Sequence, residues 1–248
     1  MKSTMNKGNR KLRILVPTDF SGHAVNAGAY AIQLFKHTVG EVILENVYQL
    51  PKENTGTLIS INDLILHESE EKLRNEQSLL QKAKAKLTIT LESKEGNPVN
   101  TIKQAVKKTH ADLLVIGHNS KTDKFSSTFI GQPECWPTLL VPSAKITRPA
   151  KEVVLISSCV RNDLGPTKNF TELNERYNNS SHSLYFTKNS TVEDLKATIT
   201  SLLRNKKKTG LIIFNTIKGD RLEQAIKEHQ LDQVFYSHPS LLISNNEG

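Results

Sequence analysis

A chain of 248 residues, 37% hydrophobic and 23% charged, has the balance of an ordinary globular protein and room for one large domain or two of roughly 100–150 residues each. No apolar run approaches the ~20 residues that span a bilayer, and no stretch of ~7–15 apolar residues marks a secretion signal, so no membrane role is expected and a cytoplasmic location is. The net charge of +8 raises a nucleic-acid reading, but lysines alternate with glutamates, and the run Lys206-Lys207-Lys208 closes a predicted helix, where cations complement the helix dipole. A nucleic-acid partner is therefore not expected. Two cysteines, Cys135 and Cys159, make neither a disulfide framework nor a metal cluster.

Residues 1–11 are polar and basic and read as a disordered tail. The run 12–17 is short and apolar, a buried strand. Ser21 then precedes a helix whose Ala24, Ala27, Tyr30, Ala31 and Leu34 recur every three to four residues. A second strand is predicted over 41–47, and 50–60, with Pro and Gly, reads as a loop. Residues 63–86 are rich in Leu, Glu, Gln and Lys and predict a long helix. Residues 87–91 alternate with threonine, as an edge strand does. Asn97-Pro98 opens a third helix with Ile102, Ala105 and Val106 on its buried face. Two more strands follow, 112–117 and 138–141. Strands that are continuously rather than alternately apolar, separated by helices, imply a parallel sheet covered on both faces.

After Arg148-Pro149 the pattern restarts. Strands are predicted over 152–158, 183–187, 211–214 and 239–244, and helices over 171–177, 191–207 and 220–228. The economical reading is an internal repeat of about 140 residues, shortened in its second copy. The expected fold is thus α/β with two consecutive doubly wound domains, 12–147 and 150–245.

Three blocks of the first half carry a family likeness. They are Ile14-Leu15-Val16-Pro17-Thr18-Asp19-Phe20-Ser21, Glu41 to Tyr48, and Ala111-Asp112-Leu113-Leu114-Val115-Ile116-Gly117. In order and spacing the chain resembles a tandem universal stress protein of the UspA-like family, whose fold is that of the adenine nucleotide alpha-hydrolase-like (HUP) group. The second half, ending His-Pro-Ser-Leu-Leu-Ile-Ser, is similar to the final helix and strand of tandem members. In the nucleotide-binding branch, the resemblance implies an acidic residue after the first strand on the adenosine side and second-strand backbone at the base. A G-x-x-G-x9-G-[ST] motif after the fourth strand would wrap the phosphates, because glycines and helix-start amides receive anions.

Carried onto this sequence, the motif is uneven. Thr18 and Asp19 fit the first turn, Val47 the base-contacting strand end, and Gly117 the first glycine. His118 follows at a strand end. Ser120 stands where the second glycine belongs, Gly131 falls one residue late, and Gln132-Pro133 replaces the small hydroxyl residue. Six residues, 132–137, with two prolines, are too few for the phosphate-binding helix. In the second half Ser157-Ser158-Cys159 replaces Pro-Thr-Asp and Asn215 replaces Gly117. Asp19 has two readings, a ribose ligand or a cap for the helix near Ser21. His118 has two as well, a ligand contact or a solvent-facing loop residue.

No catalytic or metal-binding constellation emerges from the histidines, serines and cysteines. The resemblance therefore implies a non-enzymatic protein of stress response or signalling, with no cofactor expected and ATP binding lost or weakened. It would act through protein partners, or through self-association of edge strands 138–141 and 241–244, its halves packing as a pseudo-dimer. The alternative is a regulatory switch that binds ATP or another adenine nucleotide in the first half.

Overall fold

The structure is a computed structural model. It describes residues 11–50, 61–118, 125–129 and 138–142, residue 197, and the backbone of 152–157, 182–185, 209–215 and 234–238. The predicted helices over 171–177 and 220–228, that over 191–207 apart from residue 197, Cys135, Cys159 and the 206–208 lysines lie outside these residues, as does all but the first residue of the predicted loop over 50–60.

The apolar run at the start forms β1, Leu12–Thr18, and the chain turns through Phe20 into α1, Gly22–Leu34. Ser21 caps that helix, its side chain accepting from the Ala24 N–H. β2, Val39–Tyr48, lies parallel to β1, and α2, Ile61–Gln81, returns the chain to β3, Thr88–Glu95. Helix α2 ends five residues short of the predicted 86. The Ala83, Lys84 and Leu87 amides bond back to Leu80, Gln81 and Lys84, a tight turn that delivers Leu87 to the core. β3 in turn runs four residues beyond the predicted 91, because its register with β2 continues to Tyr48↔Glu95.

Asn97 caps α3, Pro98–Thr109, with Pro98 where a missing N–H breaks no bond. The helix stops at His110, which takes the left-handed conformation at φ 51°. β4, Leu113–His118, and β5, Thr138–Pro142, complete a parallel order β3-β2-β1-β4-β5.

Both faces of this sheet are buried, which explains its continuous apolar strands. Ile14, Val16, Val42, Leu44, Leu113 and Val115 form one cluster with α1 and with Leu73 and Leu80 of α2. Leu15, Ile43, Leu114 and Ile116 are buried on the opposite face, the side that carries α3.

Four further parallel strands extend the same sheet: β6 Glu152–Ser157, β7 His182–Tyr185, β8 Thr209–Asn215 and β9 Val234–His238. Their order from the join outward is β9-β8-β6-β7, which repeats 5-4-1-2 of the first half and, among the described residues, has no counterpart of β3. The two runs meet at one antiparallel pair, β5 with β9, through Thr138↔Ser237, Leu139↔Tyr236 and Leu140↔Phe235. β5 thus pairs with 234–238, while the predicted edge strand 241–244, like the whole closing strand over 239–244, lies outside the described residues. Val-Phe-Tyr at 234–236 has strong β preference, and β9 ends before Pro239, a residue type with no N–H to give a ladder.

Candidate functional site

Strand order reverses between β1 and β4, the point where open α/β sheets leave a crevice beyond their carboxyl ends. β1 pairs with β2 as far as Thr18↔Asn46, and β4 with β5 as far as His118↔Pro142. Between β1 and β4 the register comprises only Ile14↔Leu113 and Leu15↔Leu114, so the two strands part towards Thr18 and Gly117.

Thr18 is 6% exposed and its hydroxyl is already engaged. It donates to Glu76 Oε2 at 2.6 Å and accepts from the Phe20 N–H at 2.9 Å. Its carbonyl accepts from Asn46 Nδ2 at 2.8 Å. Asn46 Oδ1 accepts from the Ser69 hydroxyl, which lies 2.7 Å from that of Ser93. One polar network therefore joins the ends of β1, β2 and β3 beneath α2. Its helix members follow from spacing: Ser69, Leu73, Glu76 and Leu80 are the buried stripe of α2, at intervals of three and four.

Asp19 is exposed, and its Oδ1 accepts the Ser21 N–H at 2.9 Å. The helix cap is Ser21, so Asp19 braces the cap and is not the cap itself. Phe20, between them, has φ 63°, a conformation that costs a side-chain-bearing residue roughly 1–2 kcal/mol. It is held there by its bond to Thr18, and Lys72 Nζ stands 5.6 Å from its ring centroid.

Gly117 has a packing role. A Cβ there would meet the His23 carbonyl oxygen at 2.6 Å and the Ala24 nitrogen at 3.0 Å, so the missing side chain lets the first turn of α1 close on β4. Val47, half-buried, sits opposite Lys94 in the β2–β3 register. His118 ends β4, and its side chain, Ser120 and Gly131 lie outside the described residues. Within that stretch the structure describes one short 3-10 turn, Ser126–Phe129. Phe129 is buried there, its ring 5.0 Å from that of Phe125.

Two buried carboxylates escaped the sequence reading. Glu76 is 3% exposed, and burial raises its pKa against the opposing bond from Thr18, with the nearby Asp19 charge adding to the rise. Glu45, 0% exposed on the α3 face of β2, is raised by burial while Lys94, 3.2 Å from its Oε1, pulls it back. Glu45 Oε2 and Glu76 Oε1 have no hydrogen-bond partner among the described residues. The helical stripe could have flagged Glu76. Among the described residues no group of three or more His, Cys, Asp or Glu could hold a metal ion, and no helix is long and apolar enough to cross a membrane.

Strand order, crossing helices and the parted β1–β4 ends define a doubly wound α/β protein with its open edge at the switch point. The universal stress protein family model matches residues 12–131. A universal stress protein of Methanocaldococcus jannaschii is 32% identical over 123 residues, 47% of this chain and 70% of that protein. The chain belongs to the universal stress protein family.

Fold similarity extends further than the sequence match. A universal stress protein structure from Archaeoglobus fulgidus superposes with a TM-score of 0.62 at 14% identity, covering 93% of this chain and 97% of that one. A functionally unknown protein from Pseudomonas aeruginosa gives 0.53 at 11% identity, over 95% and 96%.

Proposed function

We propose that this universal stress protein is a non-enzymatic, cytoplasmic scaffold acting in stress response through protein contacts, with ATP binding lost or weakened. On this reading residues 150–245 are a shortened second copy of the domain, and the β5–β9 pair joins the copies as a pseudo-dimer. The observation that carries the proposal is the fate of the phosphate motif. Only Gly117 stands in place, and its open face is occupied by the first turn of α1, where His23 would meet a Cβ at 2.6 Å. Ser120 and the displaced Gly131 remove the other close backbone approaches that phosphates need.

A second reading, an adenine-nucleotide switch, is favoured by one feature. Asp19 presents an exposed carboxylate beside the parted ends of β1 and β4, where a ribose would be received. Thermal shift with ATP, AMP and a short DNA duplex decides between them. A ligand at 100 times its Kd adds about 2.7 kcal/mol of stability. The scaffold reading expects no shift with any of the three. A shift with ATP or AMP that disappears in Asp19→Ala overturns it in favour of the switch.

A further inference from the structure

Position 76 belongs to the core-facing stripe of α2, between Leu73 and Leu80, where an apolar residue would be expected. A carboxyl group there reaches the β1–α1 turn and accepts a hydrogen bond from the Thr18 hydroxyl at 2.6 Å. The same hydroxyl holds the Phe20 N–H, and Phe20 is the described residue of this turn with positive φ. Turn, strand end and helix are therefore coupled through one side chain.

The surroundings of that carboxyl decide which protonation state they favour. From the turn, Asp19 contributes a negative charge that disfavours ionisation. From β2 and β3 the network presents Asn46 and Ser93, both neutral. On α1, the helix packed beside α2, the titratable residues are the buried Tyr30 and, in the first turn, the half-buried His23. On α2 itself Lys72, one turn earlier, is bonded to Glu68 at 2.6 Å and stands near the Phe20 ring. The Thr18 hydroxyl favours the anion, but burial outweighs it. An anion at this place also leaves Oε1 buried without a donor among the described residues.

We propose that Glu76 is the positioning residue of the β1–α1 turn and makes its geometry proton-linked: the neutral carboxyl keeps α2 seated on Thr18, and ionisation loosens the contact. The inference concerns the turn itself and stands whether or not a ligand binds there. Its sign follows from linkage. A carboxyl raised above its ordinary value of 4.5 contributes stability that is present below 4.5 and lost as pH rises through the folded-state value.

The test is an NMR titration of the full-length chain between pH 4.5 and 8.5, following the Phe20 amide and the Glu76 side-chain carboxyl carbon. In the wild type the Phe20 amide is expected to titrate with a midpoint above 4.5, to titrate with a lower midpoint in Asp19→Asn, where a charge that raises Glu76 is removed, and to lose the titration in Glu76→Gln. A Phe20 amide that does not titrate in the wild type, or titrates alike in Glu76→Gln, overturns the proposal. In Thr18→Val, which removes the donor that favours the anion, the Glu76 midpoint should move upward. A midpoint that stays or falls counts against the proposal even should Glu76→Gln fail to fold.

Discussion

The two ends of the first five strands handle charge in opposite ways. At the amino end Arg13 bonds Glu41 and the Thr109 carbonyl at 2.6 Å each, while its backbone N–H reaches Asp112 at 2.9 Å. Thr90 completes Glu41, and Lys84 Nζ closes on the Val39 carbonyl at 2.7 Å, its pKa lowered by burial and by Lys11. The Arg13–Glu41 pair meets water, with side-chain exposures of 40% and 26%, so little desolvation opposes it. At the carboxyl end Glu45 and Glu76 are sealed, each with one oxygen unpartnered among the described residues and each raised by burial. Charge at the amino end ties α3 and two strands together. At the carboxyl end it is held against its preference, beside the turn that also carries a positive φ, and such strain gathers at functional edges.

Lys94→Met should break this contrast most. It strips Glu45 of its cation, and losing one partner of a buried pair costs about 3–5 kcal/mol, with the low end expected because Lys94 is 27% exposed. Urea unfolding at pH 7 reads the loss. Since burial already raises the Glu45 pKa, the difference from wild type should shrink as pH falls and the carboxyl becomes neutral. A gap that stays constant with pH would mean that Glu45 is not the group exposed by the change.

Gly117→Ala comes next, because its Cβ meets backbone and not a movable side chain. Overpacking of this kind costs about 1–3 kcal/mol, and the melting temperature should fall accordingly. Ser21→Ala should cost about 1 kcal/mol as the loss of a true cap, and Asp19→Ala less. The reverse ranking would restore Asp19 as the cap. Arg13→Met is expected to be mildest, on the order of 1 kcal/mol or less after solvent screening, and its effect should diminish in high salt. Variants at the sealed carboxyl end should be nearly indifferent to salt, and if they are not, the comparison fails.

Much of this architecture was legible in the residues. Apolar runs such as 12–17 and 112–117, short and set between helical stretches, read as strands buried on both faces, and the spacing of Ala24, Ala27, Tyr30 and Leu34 reads as one helix face. Asn97-Pro98 announced a helix start for reasons local to the backbone. The strand over 234–238 was passed over because its composition is no more strand-like than its surroundings, and only its pairing with β5 singles it out. The end of α2 was misjudged because good helix formers at 82–86 are overruled by the need to bring Leu87 into the core, and that of β3 because its pairing with β2 runs on to Glu95.

The site divides in the same way. Residue types alone placed Thr18, Asp19 and Gly117 at strand ends and showed that Ser120 and Gly131 depart from the phosphate motif. They did not reveal that the Thr18 hydroxyl is spent on Glu76, 58 residues away, or that Gly117 is filled by the turn at His23. Local sequence determines periodicity, capping and turn chemistry, since those interactions reach only a few residues. Which polar groups meet in the interior, and so which carboxyl is forced towards neutrality, is decided when the sheet stacks distant segments together.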